Sequence, residues 1–188
     1  MKIHKYTDYD EYVAIQTLTN KAKESWTYAS ARIIDKISAD KGLDAKAILC
    51  HGTRSAGEQK FFRLNYPNAY IMGTEISDSA TKYPMTIQHD FMEPLDEFVG
   101  RFDIIYSNSF DHSIRPAETL QVWMSQLGKG GTLYLEYAEM QSIGNDADPL
   151  DATAKEIEDM ITGGGFKITG KITEGVKHAG VIFKCGNQ

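Results

Sequence analysis

At 188 residues, 41% hydrophobic and 24% charged, the chain suits one domain built around one hydrophobic core. A formal net charge of −6 with no block of Lys and Arg argues against a duplex-DNA binder, which relies on clustered cations to displace counterions. No run approaches the roughly 20 apolar residues of a membrane helix, and the opening MKIHKYTDYDEY lacks the apolar stretch of a secretory signal, so a cytoplasmic protein is expected. Cys50 and Cys185 lie far apart without metal-ligand spacing and read as reduced thiols.

The first segment, Asp8 to Trp26, places Tyr12, Ile15, Leu18 and Ala22 at helical spacing. A second helical run carries Ile33, Ile34 and Ile37 and closes near Lys41-Gly42. Short apolar runs then alternate with helices. Ala47 to Cys50 reads as a buried strand, followed by a Gly-containing loop and a helix through Glu58 to Leu64. Ala69 to Gly73 is the next strand, with a short helix near Ser79; Met85 to His89 is the third, with a helix beginning near Pro94. Phe102 to Tyr106 is the fourth, leading to a helix from Pro116 to Leu127 whose apolar face holds Leu120, Trp123 and Leu127. Gly128-Lys129-Gly130-Gly131 ends that helix, and Thr132 to Tyr137 is the fifth strand.

A helix around Ala152 to Ile161 runs into Gly163-Gly164-Gly165, and strands Phe166 to Ile172 and Ala179 to Cys185 form an antiparallel hairpin. The expected fold is α/β: a doubly wound, mostly parallel seven-stranded sheet with helices on both faces and a C-terminal antiparallel hairpin. The expected layout is a single domain, with residues 1–44 a helical cap and 45–188 the core.

In such sheets ligands sit beyond the carboxyl ends of the strands, where strand order reverses. The loop after the first strand is an altered G-x-G-x-x-G, with Gly52 and Gly57 in the first and third glycine places and Arg54 in the second. An arginine there crowds a pyrophosphate, so a phosphate-free ligand with a carboxylate fits better than a dinucleotide. Glu75, 23 residues after Gly52 at the second strand's tip, is placed to accept from a ribose diol, or else caps the following turn. Asp90 can accept from an adenine amino group, flanked by Phe91 or Met92, and can equally act as an N-cap.

These segments resemble the class I (Rossmann-like) S-adenosylmethionine-dependent methyltransferases. Ile48 to Arg54 looks like the family's first motif, Ile71 to Ser77 its second, Gln88 to Phe91 its third and Phe102 to Asn108 its fourth, while Leu127 to Leu133 resembles the segment before strand five. The match runs from Lys46 to Tyr137 and departs in the first motif, where Cys50 replaces an acid and Arg54 a glycine. The resemblance implies S-adenosylmethionine as cofactor. His51, Gly52, Thr53, Arg54 and Gly57 would lie at its methionyl and ribose end, Glu75 on the ribose, Ile76, Asp90 and Phe91 at the adenine, and Ser107 and Asn108 facing the methyl donor.

Methyl transfer needs an aligned acceptor and, for a hydroxyl or amine, a base. His112 and Asp111, just past the fourth strand, are the candidates, since histidine ordinarily titrates at about 6.5. His51, His89 and His112 also fall at strand ends, but no local spacing supports a metal, and none is expected. Tyr6, Tyr9, Tyr12, Trp26 and Tyr28 would form an aromatic lid or simply pack. A small-molecule acceptor, no stable nucleic-acid or membrane partner, and a monomer or homodimer are expected; a nicotinamide-dependent oxidoreductase and a non-catalytic nucleoside-binding relative are the alternatives.

Overall fold

The computed structural model describes residues 1–138, 144–176 and 180–187. Nine strands and five α-helices follow in the order β1 (Lys2–Ile3), α1 (Tyr9–Ala22), α2 (Ala31–Lys41), β2 (Ala47–His51), α3 (Gly57–Asn65), β3 (Tyr70–Glu75), β4 (Thr86–Gln88), β5 (Phe102–Ser107), α4 (Pro116–Ser125), β6 (Leu127–Tyr137), β7 (Leu150–Asp151), α5 (Ala154–Gly163), β8 (Lys167–Ile172) and β9 (Val181–Gly186). Short 3-10 helices lie at Asp78–Lys82, Asp96–Phe98 and Phe110–His112.

The main sheet has seven strands in the order β4-β3-β2-β5-β6-β9-β8. The first five are parallel, and β9 inserts antiparallel between β6 and β8. Order therefore reverses between β2 and β5, the crevice where ligands of such sheets bind. The expected hairpin is thus present, its two strands paired with each other. Its predicted start at Ala179 lies outside the described residues.

Alternation along the buried strands decides which helices cover which face. Ile48, Cys50, Ile104, Tyr106, Tyr134 and Ile182 pack with Ile33, Ile34 and Ile37 of α2 and Phe62 of α3. Leu49, Ile105, Leu133, Leu135 and Phe183 pack with Leu120 and Trp123 of α4, Ile157 and Ile161 of α5 and Tyr12 of α1. Each such apolar side chain contributes roughly 1.5–3 kcal/mol of burial. Both cysteines are buried and free, and burial pushes the Cys185 thiol up to about 12.

Several boundaries differ from the expectation. The first helix stops at Ala22, and the face it buries is Tyr12, Gln16 and Asn20, not the Ile15, Leu18 and Ala22 stripe. Leu18 is 68% exposed. The buried amides are held: Gln16 Nε2 donates to Ala147 O at 2.9 Å, and Asn20 Oδ1 accepts from Ser79 Oγ at 3.0 Å. Gly128 to Gly131 do not end a helix; they belong to β6, which pairs with β5 across an irregularity between Phe102 and Ile104. A Cβ on Gly131 would sit 2.5 Å from the Phe102 carbonyl oxygen, so glycine permits that approach. The helix expected near Pro94 is a single 3-10 turn at Asp96–Phe98. A two-stranded antiparallel pair, β1 with β7, was unforeseen, its strands being too short for any periodic signal.

Candidate functional site

The loops after β2, β3, β4 and β5 meet at the strand-order reversal and are tied by hydroxyls and amides. The Gly52 and Thr53 amides donate to Thr74 O at 2.9 and 3.1 Å. Ser107 Oγ donates to His51 O and accepts from the Ser109 amide, and Ser109 Oγ donates to Gly52 O, each at 3.1 Å. Gly52 has φ +70, and a Cβ there would lie 2.5 Å from Ser109 Cβ. Glycine is required twice over, by conformation and by contact.

Arg54 stands where a middle glycine was expected, yet adopts φ 42, in the region that favours glycine; Ala56, before α3, has φ 61. Such conformations cost roughly 1–2 kcal/mol per residue. Part of this is offset by the Arg54 amide, which donates to Glu75 Oε2 at 2.9 Å. The Ser77 amide donates to Oε1 at 3.0 Å. Burial pushes the Glu75 carboxyl up, against these two amides. Each oxygen keeps a further lone pair for a ligand.

Glu75, Ile76, Asp90 and Phe91 form one wall of a narrow cavity, and Tyr12, Gln16, Thr19 and Asn20 of α1 form the other. Asp90 Oδ1 accepts from the Met92 amide at 2.8 Å and Oδ2 from the Tyr9 hydroxyl at 2.6 Å. Asp90 therefore caps a local turn and still borders the cavity.

An adjoining, roomier cavity shares Gly52, Arg54, Ser109 and His112 and adds Trp26, Tyr28, Thr53, Glu58, Asn108, Asp111 and Asp148. His112 Nδ1 lies 2.9 Å from Ala147 O. A carbonyl only accepts, so Nδ1 carries a proton and Nε2 is the ring nitrogen free to exchange one with a ligand. Nε2 is 3.9 Å from Asp111 Oδ1 and 3.8 Å from Asp148 Oδ1. Burial pushes the Asp111 carboxyl up to about 6, with His112 opposing and Asp148 adding to the rise. Asp111 Oδ1 is buried without a hydrogen-bond partner.

These three residues bring ligand atoms within 4.8 Å of one another, a donor set that can also hold a cation. It differs from the histidine grouping considered from sequence, because His51 and His89 are engaged elsewhere. His89 Nε2 meets Glu93 O at 2.9 Å.

Of the sequence-derived residues, Gly52, Thr53, Arg54, Glu75, Ile76, Asp90, Phe91, Asn108, Asp111 and His112 line one or both cavities. Three do not. The His51 ring turns into the core, stacked on Trp123 at 4.8 Å, with its nitrogens 2.9 Å from Thr74 Oγ1 and Gln126 Oε1. Burial pushes that imidazole down to about 3. Ser107 is consumed in tying the loops. Gly57 is pressed against Thr27, whose Cγ2 would lie 2.3 Å from an added Cβ, so its glycine serves packing.

Sequence reading missed Gln16, Asn20, Ser109, Glu58 and Asp148 as lining residues. The i, i+4, i+8 spacing of Tyr12, Gln16 and Asn20 was a usable signal; Asp148 comes from a distant loop and carried none.

No family model matches the sequence, and no curated protein matches it. Solved structures do. The Burkholderia thailandensis 1,6-didemethyltoxoflavin-N1-methyltransferase, with 1,6-didemethyltoxoflavin and S-adenosylhomocysteine bound, is 16% identical with TM-score 0.74, over 98% of this chain and 92% of that one. The [4+2]-cyclase SpnF is 12% identical with TM-score 0.69, over 98% and 97%. The magnesium protoporphyrin IX methyltransferase of Synechocystis, with SAM bound, is 12% identical with TM-score 0.65, over 98% and 100%. At these identities the likeness is one of fold, and the cyclase among them illustrates that a fold does not fix a reaction.

Proposed function

We propose that the chain, which has the fold of the class I methyltransferases, is itself an S-adenosylmethionine-dependent methyltransferase acting on a small-molecule acceptor. The observation that carries this reading is a pair of adjoining cavities sharing Gly52, Arg54, Ser109 and His112, one bordered by Glu75 and Asp90, the other by Asp111 and His112.

The residues present suit the cofactor. Glu75 retains acceptor capacity for a ribose diol, and Ile76 and Phe91 offer apolar flanks to a base. Asp90 can reach an amino group, provided the Tyr9 hydroxyl yields or shares Oδ2. Arg54 Nε is buried without an acceptor, a donor available to an anion. Gly52, Thr53 and Asn108 border the remaining length.

Bound S-adenosylmethionine supplies a methyl carbon activated by an adjacent sulfonium. The protein's part is alignment, exclusion of water and proton removal. His112 Nε2 accepts the proton that an acceptor hydroxyl or amine loses as it is methylated. Its orientation is held by the Ala147 carbonyl, and the Asp111 carboxylate steadies the imidazolium. Trp26, 57% exposed, and Tyr28 rim the second cavity and offer a face to a ring-bearing acceptor. In this reading residues 1–44 are a cap on a single cytoplasmic domain working as a monomer or homodimer. No helix among the described residues is long and apolar enough to cross a membrane.

Turnover of methyl-labelled S-adenosylmethionine against a panel of hydroxylated and amino-substituted aromatic compounds tests the proposal. Transfer that collapses in His112→Ala supports it. Transfer undiminished in that variant removes the assigned base.

A further inference from the structure

The second cavity holds two opposite charges that proton transfer at His112 does not use. Glu58, in the first turn of α3, is only 6% exposed and lines the wall. Burial pushes its carboxyl up to about 7, with Glu136 and Glu75 adding to the rise and its own amide and Arg54 opposing. No cation among the described residues lies within salt-bridge distance of it, so this carboxyl borders the cavity without an ion-pair partner. Such a group is costly to bury without a partner.

Arg54 lines the same cavity. Its Nη1 donates to Trp26 O at 3.3 Å and its guanidinium lies 5.2 Å from the centre of the Tyr28 ring, while Nε is buried with no acceptor. The guanidinium is thereby held against Trp26 and Tyr28, and Nε remains a buried donor without an acceptor. Cys50, the residue at the position where the resembled motif carries an acid, is fully buried, and Glu58 is the charge that acts on its thiol. The carboxylate absent from the strand is therefore supplied nearby, from the helix.

We infer that Glu58 and Arg54 form a subsite for an α-amino-acid group, Glu58 accepting from the ammonium and Arg54 Nε donating to the carboxylate. This rests on the methyltransferase reading and assigns the amino-acid tail of its cofactor to α3 and the Arg54 turn. A zwitterion brings both charges that the two residues lack, without adding net charge to the site.

The test compares S-adenosylhomocysteine with 5′-methylthioadenosine, which keeps the nucleoside and thioether but has no amino-acid tail. In calorimetric titrations of the full chain at pH 7, Glu58→Gln weakens S-adenosylhomocysteine about tenfold or more and shifts 5′-methylthioadenosine less than about twofold. Arg54→Gln shows the same selectivity. Repeating the titration in buffers of different ionisation enthalpy reads proton release. A carboxyl near half-protonated at pH 7 gives up about half a proton on meeting an ammonium, and Glu58→Gln loses that release. Taking the difference between wild type and variant cancels the other charged groups on the wall: Lys23, Asp111, His112 and Asp148, with Glu75 and Glu136 behind.

Equal weakening of both ligands in Glu58→Gln, or unchanged S-adenosylhomocysteine affinity, overturns the inference. A wild type that binds 5′-methylthioadenosine but gains nothing from the tail overturns the subsite and leaves the nucleoside site standing. A wild type that binds neither overturns both.

Discussion

Replacing Glu58 by Gln should make the ligand-free protein more stable, and only above a definite pH. The carboxyl titrates near 7 in the folded protein against an ordinary 4.5, because burial disfavours its charged form. A raised carboxyl pKa means that the folded state holds its proton more tightly than the unfolded state. The associated stability is complete below 4.5 and is lost as pH rises through 7. The shift corresponds to about 3 kcal/mol, at 1.36 kcal/mol per pKa unit. Wild-type curves alone do not isolate this contribution. His51, lowered from 6.5 to about 3, acts in the opposite sense, gaining stability as pH rises toward 6.5. Asp111, raised from 3.8 to about 6, acts in the same sense as Glu58.

The decisive quantity is therefore wild type minus Glu58→Gln, measured by urea unfolding from pH 4 to 8.5. The variant should gain about 2–3 kcal/mol on wild type across that range, or roughly 5–10 °C in melting temperature at pH 8. A constant offset at all pH values, or a variant less stable at pH 8, would refute the claim that this carboxyl is buried without an ion-pair partner.

Other expectations follow from single contacts. Gly52→Ala must meet both a positive φ and a Cβ 2.5 Å from Ser109; a loss of about 2–3 kcal/mol in urea unfolding is expected, and a neutral result would contradict the packed loop. Trp123→Ala removes the ring stacked on His51 and the donor to Phe91 O at 3.0 Å, and should cost about 3–5 kcal/mol by thermal or chemical denaturation. His112→Ala should lower kcat about 10²–10⁴-fold once an acceptor is in hand, with S-adenosylhomocysteine affinity held within about threefold. Loss confined to affinity would make His112 a binding residue.

The alternating strands and the two αβ faces were legible because buried parallel strands are nearly continuous apolar runs bounded by turn residues. Glu75, Asp90 and the Asp111–His112 turn were legible because sheet topology fixes which loops share one end. What escaped had physical causes. The α1 face was misassigned because its apolar residues and its buried polar residues follow competing helical stripes, and Gln16 and Asn20 are buried only by virtue of partners far along the chain. His51 sits one residue from a ligand loop, yet the strand's alternation turns its ring toward Trp123. Arg54 was read as a lost glycine, whereas the structure keeps the glycine-like conformation and changes only the side chain. Glu58 gave no sign, since an acid in a helix's first turn is ordinary helix chemistry.

A nucleoside site organised by Glu75 is open to calorimetry with S-adenosylhomocysteine and NADH on wild type and Glu75→Ala. Wild type should bind S-adenosylhomocysteine and not NADH, and Glu75→Ala should weaken that binding by about 1–3 kcal/mol. Binding of NADH alone, or an affinity unmoved by the loss of Glu75, would contradict it.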